Sequence, residues 1–224
     1  MSNVVRGALI AGLAVVIFVV PFVCFRAAYS YEKRLREVDP GRVYRSGQLT
    51  ADGLADAVHR FDIRTVINVQ DDVPDPDVEK SFWRAGTVKE SELCRRLGVR
   101  YVWIAPDLVP VKDSPRRRPQ AVDELLRVLD DQTVYPVLIH CRAGLNRTGC
   151  LVAVYRMEFQ GWSPMEAFQE MKDLGFGNST CTASNQYVNQ YVLTYRRGLQ
   201  SEVRSQKSEV RGQKSEVGRQ TPDF

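Results

Sequence analysis

Cys141, Gly144, Arg147 and Thr148 fall within eight residues of one another, in His140-Cys141-Arg142-Ala143-Gly144-Leu145-Asn146-Arg147-Thr148-Gly149. Cysteine attacks as the thiolate, and a helix N-terminus or a neighbouring cation favours that form; Cys141 is expected to have both. Arg147 offers a planar fork of donors that matches two oxygens of one phosphate. Gly144 lets the backbone turn with no Cβ in the way of an anion, and Thr148 can direct its hydroxyl at the sulfur. The apolar run from Tyr135 to Ile139 reads as a short buried strand, and Thr148 to Met157 as a mostly buried helix. A strand that feeds a loop into a helix N-terminus makes an anion site, because first-turn N–H groups and the positive end of the helix dipole face it. The chemistry expected is thiolate attack on a tetrahedral dianion held by backbone amides. Buried packing is the commoner role of a cysteine, and a Cys-x5-Arg spacing alone arises by chance. The strand, the preceding histidine, the glycine and the Arg-Thr-Gly helix start act together against that reading.

This string resembles the signature of the cysteine-dependent protein tyrosine and dual-specificity phosphatases. Val43-Tyr44-Arg45-Ser46-Gly47-Gln48 upstream, and Tyr155-Arg156-Met157, Gly161-Trp162-Ser163-Pro164 and Gly175-Phe176-Gly177 downstream, resemble the small bacterial dual-specificity-like branch, over residues 40–198. The resemblance implies that Cys141 is a nucleophile that forms a cysteinyl-phosphate. It implies that Arg147 and the amides of Arg142, Ala143, Gly144, Leu145, Asn146 and Arg147 hold the phosphoryl oxygens. His140, and Thr148 with it, would tune the thiolate. It implies further an aspartate that protonates the leaving oxygen, a role worth about 10²–10⁴-fold. Asp107, directly after the strand Tyr101 to Ala105, is preferred. Asp113, beside Ser114-Pro115, is the other candidate, with a helix-start role as its alternative, and a loop without an acid is the third reading.

The elements that must position this loop are legible along the chain. Val43 to Arg45 reads as a first strand, and Thr50 as the cap of a helix over Ala51 to Phe61. Arg64 to Val69 reads as a strand, Gln70 to Asp77 as a loop, Val88 to Leu97 as a helix, Arg100 to Ala105 as a strand and Pro119 to Leu129 as a helix. Ser163-Pro164-Met165-Glu166 is a capping box with proline at the first helical position, so a helix runs through Met171. Thr182 or Ser184 starts a last helix to Tyr195. Alternating strands and helices predict an α/β fold with a central, mostly parallel sheet flanked by helices, which the resemblance specifies as phosphotyrosine-phosphatase-like. Ligands of such sheets bind at the carboxyl ends of the strands, where Cys141 falls.

Both ends of the chain lie outside that domain, which is expected over residues 43–198. Gly7 to Phe25 are nineteen uncharged, mostly apolar positions between Arg6 and Arg26. At about 1.5 Å per residue such a helix approaches the ~30 Å hydrocarbon core, and Pro21 is tolerable near its end. A cleaved signal peptide is the alternative, with Ala28-Tyr29-Ser30 as a loose cleavage site, but Arg26 sits where that region should be neutral. Residues 1–26 are therefore expected to be a transmembrane anchor and residues 27–42 a charged juxtamembrane linker. Arg26, Lys33, Arg34 and Arg36 outnumber Arg6, which puts the bulk of the chain in the cytoplasm, where a catalytic thiol stays reduced. In residues 199–224 a heptapeptide recurs with a single valine per unit, too few for a coiled-coil seam, so a disordered tail is expected.

The 224 residues carry a net charge of +4, spread out, so nucleic acid is not an expected partner. Two histidines and no cysteine pairs at ligand spacing argue against a metal, and no cofactor is expected. Of the five cysteines, Cys94 or Cys150 could protect an oxidised Cys141 through a disulfide, with buried packing as the alternative. Trp83 in Ser81-Phe82-Trp83-Arg84 reads equally as core or as a lip of the cleft. Leu145 and Asn146 stand where phosphatases of inositol phosphates and phosphoinositides often carry lysine. The Asn-Arg-Thr-Gly ending also resembles RNA 5′-triphosphatases, against which the anchor argues. The expected partner is a phosphorylated protein at the membrane, bearing phosphotyrosine or phosphoserine/threonine. A membrane-tethered phospho-binding pseudophosphatase, and sulfur transfer on a rhodanese-like loop, are the other readings.

Overall fold

The computed structural model describes residues 3–70, 73–105, 119–178 and 186–197. The acid candidates Asp107 and Asp113, the start of the last helix at Thr182 or Ser184, and the repeat tail lie outside the described residues.

Seven strands form among them: β1 (Arg36–Asp39), β2 (Val43–Ser46), β3 (Thr65–Asn68), β4 (Asp77–Glu79), β5 (Thr87–Lys89), β6 (Arg100–Trp103) and β7 (Val137–His140). Five make one sheet in the order β1-β2-β7-β3-β6. β2, β7, β3 and β6 run parallel, and β1 is an antiparallel edge. The period of two along a strand explains the two cores. Val43, Ile67, Val137 and Ile139 point to one face, where they meet helices α5 (Gln120–Leu129), α6 (Asn146–Phe159), α7 (Pro164–Asp173) and α8 (Gln186–Leu193). Tyr44, Val66 and Leu138 point to the other, under α3 (Ala51–Phe61) and α4 (Glu90–Arg96). Burial on both faces is why these strands read as unbroken apolar runs. α6 is buried at every position from Thr148 to Tyr155, as a helix apolar all round must be.

Local signals account for the helix starts. Thr50 Oγ1 accepts from the Gly53 N–H at 3.2 Å, and Ser163 and Glu166 close the capping box ahead of α7. β7 begins after Pro136, which has no N–H for a ladder, and α6 starts two residues before Thr148.

Two regions differ from expectation. Residues 27–42 are not a free linker. The N-terminal helix, α1 (Asn3–Ala14), a π turn (Val15–Val19) and α2 (Val20–Glu32), runs past Arg26 to Glu32, and β1 follows after three intervening residues. Val38 is the one apolar side chain that β1 buries, too little for a sequence pattern. The π turn comes just before Pro21, whose nitrogen cannot donate to the Ile17 carbonyl. The helix expected from Val88 starts at Glu90, because Thr87–Lys89 instead pairs with Asp77–Glu79 in a short hairpin. The helix Val4–Glu32 is long and apolar enough to cross a membrane.

The end of α2 is packed on the domain. The Thr50 N–H donates to the Ser30 carbonyl at 3.3 Å, and a Cβ on Gly53 would stand 2.1 Å from the Tyr31 carbonyl oxygen. Gly53→Ala is therefore expected to lever α2 off α3, with a loss of about 1–3 kcal/mol read as a lowered unfolding midpoint. An unchanged midpoint would show that the packing is adaptable.

Candidate active site

β7 delivers His140 and Cys141 to the carboxyl edge of the sheet, between Ser46 of β2 and Asn68 of β3. The chain then turns through residues 142–145 into α6. The Cys141 side chain is 3% exposed, and its Sγ accepts from the Gly144 N–H at 3.2 Å. Gly144 has φ +73°, and a Cβ there would lie 2.6 Å from the Gly47 nitrogen and the Ser46 oxygen. The glycine is thus required twice, for its conformation and for the close approach of the β2 exit.

Three consecutive carbonyls of the loop are held from outside. The Gln48 N–H donates to Arg142 O at 3.2 Å, Arg34 Nη1 to Ala143 O at 3.0 Å and Arg45 Nη2 to Gly144 O at 2.9 Å. In a trans peptide the N–H points opposite to the C=O, so each pinned carbonyl turns the next amide inward. The peptide whose oxygen Arg34 holds is the one whose N–H meets the Cys141 sulfur.

Cations gather around this loop. Arg45 is 4% exposed; burial pushes its guanidinium down to about 10, against the opposing pull of Glu170 and Cys141. Lys33 packs its stem on Gly47, and its carbonyl accepts from the Gly47 N–H at 2.7 Å. Burial, then the charges of Arg34 and Arg142, lower the Lys33 ammonium below its ordinary value, while Cys141 acts in the other direction. Arg142 is exposed at the rim, and Asn146 and Arg147 are half-buried at the start of α6.

Behind the cysteine, His140 is buried with its Nε2 3.2 Å from Glu90 Oε1. The approach is close enough for an ion pair but lacks the alignment of a hydrogen bond. Gln48 Nε2 donates to the same Glu90 oxygen at 2.9 Å, and Gln70 Nε2 in turn donates to Gln48 Oε1. A buried polar chain, Gln70–Gln48–Glu90, therefore backs the histidine.

The structure sets His140 at the end of β7, Cys141 and Gly144 in the turn, and Arg147 and Thr148 at the start of α6, and it gives the sulfur a different partner from the one the spacing suggests. The Thr148 hydroxyl is buried and makes no hydrogen bond; the sulfur's donor is the Gly144 amide. Cys94 and Cys150 are free thiols that burial pushes up to about 12, which suits packing groups. Sequence reasoning counted Lys33 and Arg34 only as charges flanking the span, did not name Glu90, and quoted Arg45 and Gln48 without a role. Lys33 and Arg34 fall in what reads as a linker, and a buried glutamate at a helix start has no sequence mark.

Comparison with known proteins bears on this geometry. A family model described as a DSP-PTPase phosphatase fused to NAD+ kinase matches residues 6–190. The dual specificity protein phosphatase TpbA of Pseudomonas aeruginosa is 38% identical over 81 residues, 34% of this chain and 37% of TpbA. The inositol diphosphatase DSP1 of Oryza sativa subsp. japonica is 33% identical over 135 residues, 59% of this chain and 53% of the relative. The chain thus spans between about a third and a half of the length of these relatives. The core catalytic domain of the PP-IP phosphatase SIW14 from S. cerevisiae shares the fold, with a TM-score of 0.56 and 16% identity over 79% of this chain and 93% of that one. With most of its length matched, the chain belongs to the DSP-PTPase phosphatase family, within the cysteine-dependent dual-specificity and protein tyrosine phosphatase superfamily.

Proposed function

We propose that this phosphatase hydrolyses phosphate monoesters through a cysteinyl-phosphate on Cys141, in a catalytic domain held at the cytoplasmic face of a membrane by the N-terminal helix. The Gly144 N–H aimed at the sulfur, in a loop whose carbonyls are pinned outward, carries this reading. Such a loop offers inward amides to three equatorial oxygens while the sulfur stands beneath.

The Cys141 thiolate attacks phosphorus, and the phosphorus–oxygen bond to the leaving group breaks. The electron pair of that bond leaves on the oxygen, and Asp107, or Asp113 in its place, gives it a proton. Arg147 and the amides from Arg142 to Arg147 hold the charge that builds on the phosphoryl oxygens. Water then attacks the cysteinyl-phosphate, freeing inorganic phosphate and regenerating the thiolate. The buried Glu90 stands 3.2 Å from His140 Nε2, behind the nucleophile.

Phosphotyrosine and phosphoserine/threonine in proteins are the substrates of the first reading, in keeping with the description of TpbA as a dual specificity protein phosphatase. One observation favours a second. With no lysine at Leu145 or Asn146, Lys33, whose stem packs on Gly47 and whose ammonium feels the charges of Cys141, Arg34 and Arg142, adds positive charge near the loop. That extra positive charge suits a substrate with several phosphates, and rice DSP1 is described as an inositol diphosphatase.

Hydrolysis of an aryl phosphate by the full chain tests the chemistry. Cys141→Ser is expected to abolish turnover, and Gly144→Ala to reduce it by about 10²-fold or more, on the scale of losing an oxyanion donor. Persistent turnover in Cys141→Ser would overturn the proposal, and an intact wild-type chain that binds phosphopeptide without turnover would make it a pseudophosphatase. Phosphotyrosyl peptide and inositol pyrophosphate compared as substrates separate the two readings. Lys33→Met should raise KM for the second far more than for the first if charge selects it.

Lys33 is cationic below its depressed titration point and loses that charge as pH rises through it. Its support of an anionic substrate is thus present below that point and is lost above it, sooner than for a free lysine. The alkaline limb of kcat/KM should move to higher pH in Lys33→Arg, and an unmoved limb would assign it to another group. Arg34→Met should lower kcat more than it raises KM, because the guanidinium orients the loop from outside.

A further inference from the structure

We infer that the tip of the β4–β5 hairpin, Ser81-Phe82-Trp83-Arg84, docks into the interfacial layer of the same bilayer from which the N-terminal helix emerges, a reading that rests on the anchor proposed above. Trp83 is 69% exposed and Phe82 40%, so neither is the core residue that its type suggests. Their rings meet edge to face, with centroids 4.9 Å apart, at the end of a hairpin whose strands are three residues each.

The tip is held in place. The Asp52 N–H donates to Lys80 O at 3.1 Å and the Lys80 N–H to Gly86 O at 2.9 Å. Arg84 pairs with Asp52 of α3, and its N–H donates to Ser81 Oγ at 3.0 Å. Two large aromatic side chains are therefore presented on a fixed support. Together with Ala27, Ala28 and Tyr31 of α2 they line a groove of about 490 Å³.

The level of that groove along the helix identifies its occupant. The apolar run ends at Phe25, and Arg26 is the first cation after it. At ~1.5 Å per residue, Ala27 to Tyr31 lie roughly 3–9 Å beyond Phe25. A bilayer whose hydrocarbon core is about 30 Å thick within about 40–45 Å overall has an interfacial layer of roughly 5–7 Å on each side. The Ala27–Ala28 end of the groove falls within that layer, where tryptophan is enriched because its ring is apolar and its N–H polar. Of the charged groups that line it, Arg84 is paired with Asp52, and Glu32 lies beside them, so the aromatic rings and not net charge carry the docking. The groove thus continues the surface of the span itself, and a lipid surface covers both.

The span and the tip together make two attachments, which fix how the domain is rolled against the bilayer. Lys33, whose carbonyl and stem hold Gly47 beside the phosphate loop, lies only about 12 Å along the helix from Phe25. The loop is then presented at the edge of the headgroup layer.

The full chain, reconstituted in phosphatidylcholine–phosphatidylglycerol vesicles, provides the test. Trp83 is one of three tryptophans, so Trp103→Phe with Trp162→Phe leaves it alone. Its emission is expected to be quenched by lipids brominated near the headgroup, and less by lipids brominated deep in the chain. If that double variant does not fold, the fraction of wild-type emission that the lipids quench must disappear in Trp83→Phe. Unquenched Trp83 in protein that stays with washed vesicles would overturn the docking and leave the anchor intact. Release of the protein itself from washed vesicles would overturn the anchor, and the docking with it. Replacing Phe82 and Trp83 by serine should also lower turnover of an acyl-chain-anchored aryl phosphate severalfold while leaving the soluble aryl phosphate unaffected. Equal turnover of both would again count against the docking.

Discussion

One short contact organises this molecule: the Gly144 N–H turned towards the Cys141 sulfur. A loop left to itself has no reason to face its amides in one direction, since each buried N–H and C=O seeks a partner. Here the carbonyls are satisfied from outside by Arg34, Arg45 and the Gln48 amide. The Gly144 amide is thereby turned towards the sulfur. Preorganisation of this kind places the electrostatic work in folding rather than in the reaction, and it explains why the loop is walled by β2, the β2 exit and the end of α2.

That arrangement carries a cost in stability. Arg45 is almost wholly buried and its guanidinium is pushed down to about 10 by burial. A base depressed in the folded state binds fewer protons there than in the unfolded chain, from about 10 up to its ordinary value. The burden of the charge is therefore borne at neutral pH and is relieved only as pH climbs through that window. Arg45 and the Gly144 carbonyl form a buried polar pair, and removing the guanidinium would leave that carbonyl without its donor. His140, Glu90, Gln48 and Gln70 form a second buried polar set on the other side of the nucleophile. The apolar layers of α6, β7 and β3 hold both sets in place.

What could be read from the sequence was whatever is encoded locally. The Thr50 cap and the Ser163–Glu166 box are side chain to backbone bonds three residues apart, and both form. β7 and α6 are apolar enough to be recognised without their neighbours, and with them came the position of Cys141. β1 buries little more than Val38, and β4 and β5 are three residues each, so their pairing is decided by tertiary contacts and not by pattern. Lys33, Arg34 and Glu90 reach the site from distant parts of the chain, and nothing in their own surroundings announces it. Thr148 shows the reverse: its spacing suggested a bond to sulfur, yet its buried hydroxyl makes no hydrogen bond.

The exit from the N-terminal helix has a final consequence, for reach. A flexible connection over residues 27–42 would give the domain a leash of roughly 20–25 Å by random-coil statistics. Instead only Lys33, Arg34 and Leu35 separate α2 from β1, and two of them are bound into the loop's surroundings. On a bilayer, such an enzyme would have almost no freedom to swing outward. It would meet its substrates by lateral diffusion in two dimensions, and the population it serves would be defined by what shares that surface.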